Sequence, residues 1–300
     1  MGEMDKLLEE LHGKELPEQL LEFYFCVRDF LNIDELLDEN YVVYTEMGEG
    51  GKVILRLFCV NPAANIHRCL EKGKSAVFFS ATLLPMDYYR ALLSTRKDDY
   101  GIYVTSPFRR ENRCILTGRD VSSRYTRRGY EEYHRIASYI ARTVWTRKGN
   151  YMVFFPSYKF MEDVLEVYEN EFSVDWVRCI SQTSGMHEQE KEEFIEEFST
   201  SEGTLVGFCV MGGVFSEGID LMGEKLIGAV IVGTGLPQIG TEREILRQYY
   251  DKKGADGFDY AYRYPGMNKV AAVSRTCDKN PGDTGIILCW MSALLIITIA

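Results

Sequence analysis

Between Gly207 and Asp220 the chain reads GFCVMGGVFSEGID. An apolar run, Leu205–Val210, feeds a loop that carries Gly212, Gly213 and Gly218 and closes on two carboxylates, Glu217 and Asp220. Glycine lets backbone N–H groups come close to an anion, and the loop at the carboxyl end of a parallel strand is where α/β sheets take their ligands. The chemistry on offer is the holding of a phosphate-bearing ligand. Two sheet strands joined by a tight glycine turn would show the same spacing.

Ordinary side-chain catalysis finds little support elsewhere. His12, His67, His134 and His187 are isolated, and no nucleophile stands beside a base. The pairs Glu192-Glu193 and Glu196-Glu197 lie in an acidic helical stretch and read as solvated surface. Eight cysteines are scattered without a Cys-x-x-Cys pair, which supports neither a zinc site nor a disulfide framework and fits a reducing cytoplasm. The net charge of −11 argues against nucleic acid coating the whole surface but leaves room for a local groove. The first residues, MGEMDKLLEELHGKEL, are charged and amphipathic, unlike a signal peptide.

The elements that must position the loop alternate between helical and β-branched runs, so the fold class is α/β with a parallel sheet flanked by helices. Residues 3–38 read as helices. Strands are expected at Tyr41–Glu46 and Lys52–Cys59, around the turn Gly48-Glu49-Gly50-Gly51. A helix at Ala63–Glu71 leads to a buried-strand run at Ser75–Thr82, and another helix starts at Met86. After the breaker Ser106-Pro107-Phe108 a second unit opens near Asn112, giving domains at 1–110 and 111–300. Its expected elements are a strand at Cys114–Leu116, a long helix at Glu131–Arg147, a strand at Tyr151–Phe155 and a helix at Lys159–Asn170. A strand at Val174–Ile180, a helix at Glu188–Phe198 and a strand at Ile227–Val232 follow.

Four stretches fall in an order that carries a resemblance. They are Phe78–Met86 (FFSATLLPM), Val153–Tyr158 (VFFPSY), Val214–Asp220 (VFSEGID) and Tyr264–Val270 (YPGMNKV). Together, over roughly residues 40–270, they resemble the carboxyl-terminal half of the DinG/XPD-like superfamily-two DNA helicases. Ser-Ala-Thr with Leu-x-Pro looks like motif III of that family, Phe-Phe-Pro-Ser-Tyr like motif IV, and Ser-Glu-Gly-Ile-Asp like motif V. The resemblance implies a RecA-like sheet preceded by the end of an arch and first RecA-like domain. It further implies ATP and Mg²⁺ as cofactors of the parent protein, and single-stranded or forked DNA as partner.

Residue by residue, it implies that Ser80 and Thr82 couple the ATP site to the DNA strand, and that Ser157 and Tyr158 meet the DNA backbone. Gly213, Glu217, Gly218 and Asp220 belong to the loop facing nucleotide and DNA. A carboxylate touches phosphate only through a cation or a bridging arginine, so Glu217 and Asp220 are expected to position rather than bind it. Arg124, Arg127 and Arg128, in a basic loop, could neutralise DNA phosphates. No metal ligand is assigned, and no membrane partner is expected. A monomer is expected.

Three family elements are missing from these 300 residues: a Gly-x-x-x-x-Gly-Lys-Ser/Thr phosphate cradle, an Asp-Glu-x-His box and an iron–sulfur cysteine cluster. The chain is expected to be a fragment of the parent, with any iron–sulfur centre upstream. From about residue 271 the tail departs from the family's Gln-x-x-Gly-Arg-x-x-Arg helix. Codons consistent with Cys277–Asn280 and Cys289–Leu294 restore family-like sequence when read one base out of frame, so a frameshifted carboxyl terminus is expected. Without those arginines the domain lacks a charge-neutralising contribution worth ~10³–10⁵ in rate. The final apolar run, Gly285–Ala300, is shorter than the ~20 residues a spanning helix needs and has no basic flank. Two other readings stay open: a catalytically inactive RecA-like nucleic-acid-binding module, and an unrelated phosphate-ligand-binding α/β enzyme.

Overall fold

The computed structural model describes residues 18–80, 82–96, 98–106, 108–118, 120–216, 221, 223–275 and 284–290, together with residue 6. They fall into two compact units, one of residues 1–77, 87–99 and 240–257, the other of 78–86, 100–239 and 258–300.

The first unit contains helix α1 (Glu18–Asp34) and an antiparallel hairpin of β1 (Tyr41–Met47) and β2 (Val53–Cys59), registered with Tyr41 opposite Cys59 and Met47 opposite Val53. It also holds α2 (Ala63–Leu70), nearly all of α3 (Met86–Leu93) and the late helix α7 (Thr241–Lys252). Asn40 at the hairpin entrance accepts a hydrogen bond from Tyr249 Oη of α7 at 2.5 Å. Asn61 opens α2 by accepting the N–H of Ala63 at 2.9 Å and reaches α3 through the carbonyl of Ala91 at 3.1 Å.

The buried strand expected at Ser75–Thr82 does not form. Ser75–Ser80 pairs with no described strand, and Val77 and Phe79 are 81 % and 89 % exposed. An apolar run becomes a strand only where a sheet offers it an edge and a covering layer, and here neither the hairpin nor the larger sheet does.

The second unit is built on six parallel strands in the order β3-β8-β7-β4-β6-β5. In chain order they are β3 (Arg113–Thr117), β4 (Tyr151–Phe155), β5 (Val177–Ser181), β6 (Thr204–Val210), β7 (Gly228–Val232) and β8 (Gly285–Trp290). Helices α4 (Tyr130–Thr146), α5 (Tyr158–Glu171), α6 (Glu188–Thr200) and α8 (Tyr264–Ser274) connect them.

The period of two along each strand sorts its side chains between two cores. Val153, Phe155, Val206, Phe208, Val230 and Trp290 face the layer of α4 and α5, where Ile136, Ile140, Phe160 and Val164 are buried. Met152, Phe154, Leu205, Cys209, Ile231 and Ile287 face α6 and α8, where Phe194, Phe198, Val270 and Val273 are buried. Central strands covered on both faces are apolar throughout, as at β4 and β7, where every residue is buried. The sequence expectation of an α/β parallel sheet flanked by helices is therefore met, and α6 turns its glutamates outward as a solvated face.

Candidate functional site

The carboxyl ends of β4, β5 and β6 bring three loops together. Ser157 and Tyr158 follow β4, Gln182 follows β5, and Met211–Ser216 follows β6. Ser157 sits at the amino cap of α5 in extended conformation, with φ −160° and ψ 154°, and its hydroxyl makes no capping bond. That hydroxyl is available to a ligand.

Gln182 binds the three loops to one another. Only 6 % exposed, it donates its backbone N–H to the Phe208 carbonyl at 2.8 Å. Its Oε1 accepts the Val210 N–H at 2.9 Å and its Nε2 donates to Tyr158 Oη at 3.0 Å. A Cβ on Gly213 would lie 3.2 Å from that same Nε2. Of two expected site residues, Tyr158 is bonded to, and Gly213 lies beside, a third that the motifs do not point to. The available signal was a single amide side chain at the end of an apolar strand, where a buried polar group must find partners. Tyr158 has its ring half-buried against the core of α4 and α5, which leaves less of it for stacking on a base.

Gln182→Leu removes the acceptor for the part-buried Val210 N–H, so stability should fall by about 1–3 kcal/mol. Gln182→Glu keeps an acceptor for Val210 and should recover much of that loss. Urea unfolding and amide exchange at Val210 report on this; unchanged exchange in the leucine variant would contradict the clamp.

The turn after β6 places Gly212 at φ +76°, a region that disfavours other residues. Ser216, 1 % exposed, holds the turn by donating its N–H and its Oγ to the Gly213 carbonyl at 3.0 and 2.7 Å. Lys269, on α8, crosses this turn. A Cβ on Gly212 would meet its Cε at 2.9 Å and its Nζ at 3.1 Å, and a Cβ on Gly235 would meet its Cβ and Cδ at 3.6 Å.

The remaining expected residues are placed differently. Glu217, Gly218 and Asp220 lie outside the described residues. Ser80 and Thr82 form a local turn in which their hydroxyls lie 3.3 Å apart and Ser80 Oγ accepts the Thr82 N–H at 3.2 Å. Of the three arginines, Arg124 is exposed. Arg127 reaches Glu132 Oε2 at 3.6 Å, and the Arg128 guanidinium lies 4.2 Å from the Phe160 ring centroid and 5.5 Å from that of Tyr125. Glu132 is itself 4 % exposed and also accepts the Ser122 N–H and meets Arg135. Arg128 is thus engaged on the core side of the loop, while Arg124 and Arg127, the latter with 56 % of its side chain exposed, remain outward cations. Among the described residues no three His, Cys, Asp or Glu side chains come together as a metal site.

The Helicase C-terminal domain profile matches residues 140–290. The chain belongs to the helicase C-terminal domain family. Its likeness is to the XPD/DinG-like superfamily-two branch. The chain is 25 % identical over 257 residues to the "Probable ATP-dependent helicase" of Methanocaldococcus jannaschii, covering 82 % of this chain and 37 % of that protein. It is 24 % identical over 222 residues to the ATP-dependent DNA helicase XPD of Sulfolobus acidocaldarius, covering 71 % and 38 % respectively. The chain thus spans little more than a third of the length of these relatives. A solved structure titled XPD_APO superposes with a TM-score of 0.63 at 18 % identity, over 92 % of this chain and 59 % of the other, which shows a shared RecA-like fold. The helicase C-terminal match spans every strand of the large sheet but β3. No helix among the described residues is long and apolar enough to cross a membrane. Residues 276–283 and 291–300, where most of the frame-slip expectation falls, lie outside the described residues. Cys289 and Trp290 are in β8.

Proposed function

We propose that this chain is the carboxyl-terminal part of an ATP-dependent DNA helicase, in which ATP hydrolysis drives movement along single-stranded DNA and unwinding. In this reading residues 1–110 derive from the arch and first RecA-like domain, and 111–300 form the second RecA-like domain with an aberrant tail. The observation that carries it is the family match over the strands whose carboxyl ends present Ser157, the Gln182-held Tyr158 and the Gly212–Gly213 turn. Ser157 is assigned to the DNA backbone, with Tyr158 beside it, and Arg124 to a further phosphate. Gly213, Glu217, Gly218 and Asp220 are assigned to the loop facing nucleotide and DNA, and Ser80 and Thr82 to coupling. ATP with magnesium supplies the driving reaction in the parent. No residue here is assigned to magnesium or to an iron–sulfur centre.

The division of labour has a direct consequence. The 300-residue chain should bind labelled oligo-dT with an affinity that falls steeply from 50 to 200 mM salt. It should turn over ATP only at background, because its sequence contains no phosphate cradle. Fluorescence anisotropy and a phosphate-release assay measure the two. DNA-stimulated ATP hydrolysis by this chain alone would refute the division. Binding of small phosphates that DNA does not compete away would favour a different α/β phosphate-ligand enzyme.

A further inference from the structure

We propose that Lys269 and the Gly212 turn form a seat for one phosphate group. The aliphatic stem of Lys269 lies along Gly235, and its ammonium ends against Gly212, at a position where any side chain on Gly212 would collide with it. Half-buried, Lys269 has no hydrogen-bond or ion-pair partner among the described residues. Lysine usually leaves its stem on apolar surface and its charge in open water. Here the charge is instead drawn over a turn whose two glycines expose backbone. Gly212 is exposed, and its N–H likewise makes no hydrogen bond among the described residues. An ammonium and a spare backbone N–H on a left-handed glycine turn, at the carboxyl end of a parallel strand, are donors suited to phosphate oxygens. Lys159 and Lys191, by contrast, are each paired with a carboxylate of their own helix or its first turn.

The phosphate has two possible sources, a nucleic-acid diester and a nucleotide polyphosphate. The assignment deepens the helicase reading of this loop and rests on it for the nature of the ligand. Acetylation of lysines by a water-soluble ester, mapped by mass spectrometry, separates the cases. It is run on the full chain alone and with oligo-dT, ATP or inorganic pyrophosphate. Protection of Lys269 by oligo-dT identifies the diester, and protection by ATP and pyrophosphate identifies the polyphosphate. Equal acetylation under all four conditions overturns the seat.

A second measurement keeps the two ideas apart. Lys269→Met preserves the stem packed on Gly235, and if the diester is the ligand it should reduce the salt slope of oligo-dT binding by about 0.7, whereas Lys148→Met should not. Tight oligo-dT binding with no protection by any anion and an unchanged slope would sink the seat and leave the DNA reading standing. Pyrophosphate protection without any oligo-dT binding would keep the seat and sink the DNA reading.

Discussion

Trp290→Ala should lower the stability of the second unit by about 3–5 kcal/mol, as large aromatic truncations in cores do. Trp290 is the last residue of β8, is 1 % exposed and packs its indole edge-on to Tyr139 at a centroid distance of 5.7 Å. Gly118, whose N–H bonds to the Cys289 carbonyl at 3.1 Å, lies so close that a Cβ there would fall 2.1 Å from Trp290 Cδ1. The site is therefore built around this one ring, and a smaller side chain leaves a void that backbone on both sides cannot fill. The indole Nε1 is buried without a hydrogen-bond partner among the described residues. Trp290→Phe consequently forfeits volume but no hydrogen bond and should cost clearly less than alanine. Since domains are stable by only ~5–15 kcal/mol, the alanine variant should sit near the edge of folding. Urea unfolding of the three proteins decides the matter. A loss below about 1 kcal/mol for the alanine variant would mean that β8 does not belong to the cooperative sheet.

Alkaline solution should unfold the second unit well before the exposed groups account for it. Three of its thiols are held neutral by burial. Burial, helped by the charge of Glu169, pushes Cys179 up to about 12. Burial likewise pushes Cys289 up to about 11 and Cys209 still further above the ordinary thiol value. In the unfolded chain all three lose their protons near 9. Above that pH the folded state binds more protons than the unfolded one, so the stability these groups contribute is complete below pH 9 and declines as pH rises. Each thiol should lower the folding constant by up to about tenfold per pH unit, and together they act as roughly two to three protons near pH 10. Tyr168, also raised by burial, adds to the same direction above pH 10. Urea midpoints measured from pH 8 to 10.5 give the slope, and Cys179→Ala should reduce it by one proton. A flat profile would show that the thiols ionise without opening the core.

Much of this molecule could be read before its structure. The boundaries of α3, α5 and β4 follow from breakers that are neighbours in sequence, Pro85 before α3 and Pro156 between β4 and α5. The apolar runs of β4, β6 and β7 announce strands covered on both faces, because such strands have no polar side to alternate with. The motif order points to the helicase family by resemblance, and the glycine at 212 answers a local requirement on backbone freedom, its φ being positive.

Other features depended on which distant segments meet. Ser75–Ser80 has the composition of a strand, yet its pairing partner is a property of the whole sheet and none of the described strands takes it. Arg128 looks in sequence like Arg124, but the Phe160 ring of α5 engages it, a contact set by how α4 and α5 pack. Gln182 gains its place only because β5 lies beside β6 and β6 beside β4. Lys269 reaches Gly212 because α8 covers the same face of the sheet as Cys209 and Ile231. By itself the sequence determined most of the elements and the α/β class, encoded in short-range periodicity and turn chemistry. The tertiary structure alone decided which polar side chains are engaged and which stay open to a ligand, because burial and partnership are set by residues far apart in the chain.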